Sequence, residues 1–188
     1  MLHLHDIDTS WTLFLDRDGV LNHEKKEDYI LNWNEFQFYE NTIAAIPLLN
    51  QCFSTIVIVT NQKGIGKGLM TMGHLNEIHQ KMLAAFENVG GKIDRIYFCS
   101  DLADDSPNRK PQPGMAFQAQ ADFPQINLSK SIMVGNRLSD MKFGRNAGMK
   151  TVFVATTHPE VPFPDPMIDC RFTDLFAFAE ACYSLRKR

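Results

Sequence analysis

Cysteine is scarce and scattered: Cys52, Cys99, Cys170 and Cys182 are the only four in 188 residues, and no two form a CxxC pair. That spacing excludes a disulfide framework and a cysteine-rich zinc site, and it implies reduced thiols. No apolar run is long enough to span a bilayer. Residues 1–10 mix histidine and aspartate and lack the apolar core of a signal peptide. The expectation is a cytoplasmic protein with no membrane partner. Positive charge is not in excess either, since 19 Lys and Arg against 22 Asp and Glu leave a net charge of −3. Such a balance argues against nucleic acid as a partner, so any phosphate must be met by a local site. Repeats and low-complexity segments are absent too. With 44% hydrophobic and 22% charged residues the chain reads as an ordinary globular protein. Its length suits one domain over residues 1–188, with a core from about 11 to 184.

Short apolar, β-branched or aromatic runs recur at residues 11–15, 55–60, 96–100, 131–135 and 151–154, with a late one at 169–172. Each has the length of a buried strand. Helical patterns lie between them at 42–51, 71–89, 114–122, 140–146 and 173–184. The clearest is 71–89, where Met72, Leu75, Ile78, His79, Met82, Leu83, Phe86 and Val89 share one face. Thr71 can cap its start and Gly90-Gly91 can end it. Alternating strands and helices predict an α/β fold, a mainly parallel sheet covered on both faces, with no room for a large second domain. Residues 20–39 are polar and aromatic without a clear period and read as a loop or small hairpin. The proline-rich stretch 158–166 reads as a surface connection.

In open α/β sheets, ligands bind beyond the carboxyl ends of the strands. After the first strand comes Asp16-Arg17-Asp18-Gly19, and after the second Thr60-Asn61-Gln62-Lys63-Gly64. A longer loop after the third leads to Arg109-Lys110-Pro111, and the fourth is followed by Gly135-Asn136-Arg137-Leu138-Ser139-Asp140. Taken singly, each has a plain reading: a DxD is often a solvated turn, Thr60-Asn61 a loop cap, Lys110 a surface lysine, and Asp140 a helix cap favoured by the dipole. Four such groups at four successive strand ends make a different case. The run 63–68 suggests a P-loop, but it lacks the GxxxxGK[ST] spacing and is rejected.

FLDRDGVLN (14–22), VTNQKGIGKG (59–68), RKPQPGM (109–115) and VGNRLSDMKFGRNAG (134–148) together resemble the haloacid dehalogenase (HAD) superfamily of phosphotransferases. The resemblance covers residues 11 to about 154. It is specific to the capless branch that holds D-glycero-D-manno-heptose-1,7-bisphosphate 7-phosphatases and histidinol-phosphate phosphatases. It implies a Rossmann-like fold and Mg²⁺-dependent hydrolysis of a small phosphate monoester, first of all the 7-phosphate of that heptose bisphosphate. Histidinol phosphate or another sugar or polyol phosphate is the alternative. In this resemblance Asp16 is the nucleophile that forms an aspartyl-phosphate, and Asp18 is the acid and base. Thr60 and the Asn61 amide hold phosphoryl oxygens, Lys110 offsets charge, and Arg109 contacts substrate. Mg²⁺ falls to Asp16, Asp18 and the motif after the fourth strand, Asn136 and Asp140. Charge cancellation matters here: two unit charges about 4 Å apart repel by roughly 4 kcal/mol at an effective dielectric near 20. That is worth about three powers of ten in rate.

Two departures stand out. The fourth motif normally reads GD, whereas this chain has Gly135-Asn136, a neutral amide in place of a carboxylate, with Asp140 retained. Weaker Mg²⁺ binding is expected, and the competing reading is a non-catalytic protein that keeps the HAD fold. Relatives in this branch also carry a Cys/His cluster before RKP. Here only Cys99 keeps its place, with Asp101, Ser106 and Asn108 in the others, so no zinc is expected. Asp101, Asp104 and Asp105 read as a solvated acidic loop. Residues 20–33 and 101–108 are the expected walls of the site, and Asn22 and His23, beside the DRDG loop, are further candidates to meet substrate. The other histidines show no ligand spacing. Phe36, Phe38 and Tyr39 are expected to pack, and Arg17 to be structural or turned away. A receiver domain, which also forms an aspartyl-phosphate, fits the paired Asp16-x-Asp18 and the downstream Arg109-Lys110-Pro111 poorly. A monomer acting on a small phosphorylated molecule is expected.

Overall fold

Strands with both faces buried read as apolar runs; five such runs form strands here, and all but the edge one at 95–99 bury both faces. In the computed structural model, which describes residues 2–186, they are β1 (Thr12–Leu15), β2 (Thr55–Asn61), β3 (Arg95–Cys99), β4 (Ser131–Gly135) and β5 (Lys150–Val154). A short edge strand, β6 (Cys170–Phe172), completes one sheet. Lys187 and Arg188, part of the basic end expected to form a solvated tail, lie outside the described residues. The strand order is β3-β2-β1-β4-β5-β6, with every pair parallel. The α/β sheet expected from the alternating pattern is therefore present.

Alternate strand residues face opposite layers. Leu13, Leu15, Ile56, Ile58, Ile132 and Val134 pack into one core with the helices α1 (Thr42–Asn50), α3 (Met72–Glu87) and α6 (Leu175–Arg186). Phe14, Val57, Val59 and Met133 pack on the other side with α4 (Gly114–Asp122) and α5 (Leu138–Asn146). A four-residue helix, α2 (Lys63–Gly66), follows β2 and has no apolar period that would mark it in the sequence. Among the described residues no helix is long and apolar enough to cross a membrane.

Helix α3 starts where its cap allows, with Thr71 Oγ1 accepting from the His74 amide at 3.2 Å. It ends at Gly90 (φ +76°), a left-handed turn that costs glycine little. Leu75, Ile78, His79, Met82 and Phe86 are buried as their spacing requires. Met72 and Val89, expected on the same face, are 42% and 48% exposed, because the first lies at the helix entry and the second beyond its end. Residues 20–39 form a loop closed at its base by the His23 amide donating to the Gln37 carbonyl at 2.8 Å and an Asn22–Phe38 bridge. Phe36 and Phe38 pack edge to face with centroids 5.0 Å apart, and Phe38 reaches Phe86 of α3. Those aromatics are packing residues, as expected.

Gly144 lets α5 lie close to the sheet. A Cβ there would stand 2.8 Å from Thr151 Cγ2 and 2.9 Å from Met133 Cβ. Gly144→Ala is expected to lower unfolding stability by about 1–3 kcal/mol through overpacking, measured by urea denaturation. An unchanged midpoint would mean that α5 moves away freely.

Candidate active site

The strand order reverses direction at β1, so the chain leaves it towards β2 on one side while β4 pairs with the other. Such a switch point opens a crevice at the carboxyl ends. A cavity of about 390 Å³ lies there, lined among others by Asp16, Asp18, Thr60, Asn61, Arg109, Lys110 and Asp140. Four loops separated widely in sequence thus deliver their polar groups to one place.

Lys110 ties them together. Its Nζ lies 2.7 Å from Asp16 Oδ1 and 2.7 Å from Asp140 Oδ1, and the residue is only 5% exposed. Burial alone would lower the lysine pKa, but Asp140 and then Asp16 hold it above the ordinary value. Burial pushes the Asp16 carboxyl well above the usual carboxylate range, against the pull of Lys110, and the charges of Asp140 and Asp18 add to the rise. The lysine backbone is fixed by a reciprocal pair: its N–H donates to Asn61 Oδ1 at 3.0 Å, and Asn61 Nδ2 donates to its carbonyl at 3.1 Å. Asn61 therefore uses its side chain to clamp Lys110. Asp140 fits because residue 135 is glycine, since a Cβ there would come within 2.2 Å of the Asp140 Cβ. Its other oxygen, Oδ2, accepts from the Arg137 amide at 3.0 Å and caps α5.

Asp18 is held differently. Burial would raise its pKa, but Arg17, with hydrogen bonds from Asn22, Arg17 and Gln62, keeps it below the ordinary value. Arg17 Nη2 lies 2.8 Å from Asp18 Oδ2, and the arginine itself is fully buried. Arg17 is thus structural, and it grips Asp18 instead of turning away from it. Gln62 Nε2 bridges Thr60 Oγ1 (2.9 Å) and Asp18 Oδ2 (3.0 Å). Neither contact was assigned from sequence, although Gln62 stands in the TNQ segment beside Thr60.

Asn22 and His23 do not reach the cavity. Asn22 is fully buried and donates through Nδ2 to Asp18 Oδ1 at 2.9 Å, while His23 packs against Tyr39 at a tilt, with centroids 3.9 Å apart. The tight loop base turns both away from the cavity. Of the two expected walls, residues 20–33 contribute Glu24, Lys25, Glu27, Asp28, Tyr29 and Ile30. Residues 101–108 contribute only indirectly: Asp104 Oδ1 holds Lys63 Nζ at 3.0 Å and Arg109 Nε at 3.2 Å, and both of those residues line the cavity.

Asn136 is fully buried at the end of β4, against Gly19, where a Cβ would strike its side chain at 2.0 Å. Its Nδ2 donates to Thr157 Oγ1 at 2.6 Å, and its Oδ1 has no partner. A buried acceptor left unpaired is costly unless something else meets it. Among the described residues no group of three or more His, Cys, Asp or Glu side chains is arranged to hold a metal. Asp16 and Asp140 line the cavity, while Asn136 lies outside its lining with a buried, unpartnered Oδ1; with the Asp18 carbonyl these candidates offer only oxygen donors. Such donors fit a hard divalent cation, whose charge would lower the raised Asp16 pKa.

A family profile described as HAD-hydrolase-like matches residues 107–160. D-glycero-alpha-D-manno-heptose-1,7-bisphosphate 7-phosphatase of Mycobacterium tuberculosis is 32% identical over 91% of this chain and 90% of its own. D-glycero-beta-D-manno-heptose-1,7-bisphosphate 7-phosphatase of Neisseria meningitidis is 35% identical over 77% of this chain and 76% of its own. Among solved structures, D,D-heptose 1,7-bisphosphate phosphatase from B. bronchiseptica, complexed with magnesium and phosphate, superposes with a TM-score of 0.83. It is 29% identical, covering 95% of this chain and 99% of that one.

His79 packs beneath the Arg17–Asp18 pair, its Nε2 lying 3.4 Å from Arg17 Nη1. Burial first, and the Arg17 charge second, push the imidazole pKa down to about 3 from 6.5. Between those values the unfolded chain binds a proton that the folded protein does not, so stability falls as pH drops from 6.5 towards 3. His79→Gln is expected to flatten that decline, by up to about 1.4 kcal/mol per pH unit. Denaturant midpoints from pH 7 to 4 check it; equal slopes in both proteins would contradict a neutral His79.

Proposed function

The chain belongs to the HAD-like phosphatases related to heptose-1,7-bisphosphate 7-phosphatases, and from that membership we propose that it removes the 7-phosphate of a D-glycero-D-manno-heptose 1,7-bisphosphate in a Mg²⁺-dependent reaction. The observation that carries the reading is the buried Lys110 bridging Asp16 and Asp140 at the floor of the switch-point cavity. Relatives named for the alpha and for the beta anomer match over most of the chain, so both anomers belong in the assay. The rest of the reading is one domain over residues 1–188, acting as a cytoplasmic monomer on a small phosphorylated molecule, without nucleic acid or membrane. The net charge of −3, without a basic excess, supports a small phosphorylated molecule over nucleic acid.

In this mechanism Asp16 attacks phosphorus. The Asp16 Oδ–P bond forms as the P–O bond to the sugar breaks, and the departing alkoxide takes a proton from Asp18. Asp18 then takes a proton from water, hydroxide adds to phosphorus, and the Asp16–phosphoryl bond breaks to release phosphate. Lys110 and the Thr60 hydroxyl face the negative phosphoryl oxygens, and Arg109 offers its fork to the remainder of the substrate. Asp18 is ionised while Arg17 grips it. An arriving phosphate dianion raises its pKa through like-charge repulsion, so Asp18 takes up a solvent proton as substrate binds and holds it for the leaving alkoxide. Asp16, the Asp18 carbonyl, Asn136 Oδ1 and Asp140 would hold Mg²⁺, which would neutralise phosphoryl charge. The unpaired Asn136 oxygen supports an active site over a scaffold that has lost activity.

Phosphate release from both heptose bisphosphate anomers, histidinol phosphate and common sugar phosphates tests the reading. Asp16→Asn is expected to lower turnover by roughly 10³ or more while the circular dichroism spectrum and melting curve persist. Chelation should stop the wild-type reaction and added Mg²⁺ restore it. Wild-type turnover in Asp16→Asn would remove the nucleophile assignment.

A further inference from the structure

The cation site has an amide where the family pattern has an acid, and the nearby loop carries an acid of its own. Asn136 Nδ2 faces two acceptors, Thr157 Oγ1 at 2.6 Å and Glu24 Oε2 at 3.4 Å. Those acceptors decide which way the amide points: its N–H groups turn towards them, and Oδ1 is left buried and unpartnered. Glu24 lines the same cavity as Asp16 and Asp140, and its carboxylate is mostly covered, with 14% of the side chain exposed. Arg137 holds it in place, Nη2 to Oε1 at 2.9 Å and Nε to Oε2 at 3.3 Å.

We propose that Glu24 is a positioning residue of the cation site: it orients the Asn136 amide so that Oδ1 meets the divalent ion, and it supplies from the 20–39 loop the negative charge missing at position 136. The proposal rests on the Mg²⁺ site of the preceding reading. Its logic is reciprocal. An aspartate at 136 would set two carboxylates face to face where the amide now donates to Glu24, so each residue suits the site because the other is what it is. Glu24 and Arg137 are 113 residues apart, and their pairing also fastens the loop wall to the start of α5.

The experiment is Mg²⁺ titration of the full-length protein by calorimetry, with melting temperatures taken in chelator and in Mg²⁺. Glu24→Gln is expected to weaken Mg²⁺ binding about 10- to 100-fold, the range found when a group supporting a metal ligand is removed. Asn136→Asp is expected to melt lower than wild type in chelator and to recover with Mg²⁺. In the Asn136→Asp background, Glu24→Gln should cost far less affinity. Arg137→Gln separates charge from mere fastening, because it loosens Glu24 yet removes a neighbouring cation, and Mg²⁺ affinity should hold or rise. Any one of three results overturns the proposal: a Glu24→Gln affinity within about twofold of wild type, an equal loss in both backgrounds, or a matching loss in Arg137→Gln. The readout is ion binding, so it is separate from the phosphatase reading, which fails if the wild type releases no phosphate.

Discussion

Asp16 and Asp140 reach one crevice from different strands, and two ionised carboxylates in one buried space repel each other unless a cation lies between them. Lys110 is that cation, and much of the local structure serves to deliver it. The loop after β3 must travel from the sheet edge to its centre, and Asn61 catches it by its backbone at both N–H and carbonyl. The three therefore form one electrostatic unit, with Lys110 Nζ 2.7 Å from each carboxylate.

A second unit lies beside it and is governed by a different constraint. Asp18 accepts bonds from Arg17, Asn22 and Gln62, which fix a carboxylate that would otherwise be free to rotate in the cavity mouth. Arg17 is fully buried, and His79 of α3 completes its surroundings while remaining neutral. A core helix thus braces a site side chain through an arginine, and that bracing explains why a histidine falls on the apolar face of α3. The contrast between the two units is chemical: one holds its acid at a raised pKa, the other at a lowered one. Neighbouring carboxylates pushed apart in this way are suited to different tasks.

The strands were legible because parallel strands are apolar throughout, and the strand-end groups were legible because they follow those runs directly. Asp16, Asp18, Thr60, Arg109, Lys110 and Asp140 all line the cavity to which the sequence motifs pointed. What the sequence withheld was direction. His23 is near Asp18 along the chain, yet it packs against Tyr39, because the bridge from Asn22 to Phe38 turns the loop there. The pairing of Glu24 with Arg137 spans more than a hundred residues and leaves no local pattern. Helical periodicity placed Met72 and Val89 on the buried face of α3, but periodicity carries no information about where the neighbouring layer stops.

Gly135 ends a core strand and at the same time leaves the space into which the Asp140 side chain settles. A mutational scan would therefore find position 135 intolerant for a reason unconnected with strand propensity. Even an alanine there collides with an acid five residues on, displacing it from the lysine and from the helix it caps. Activity lost by such a change would look catalytic in its kinetics, although the altered residue has no side chain to react.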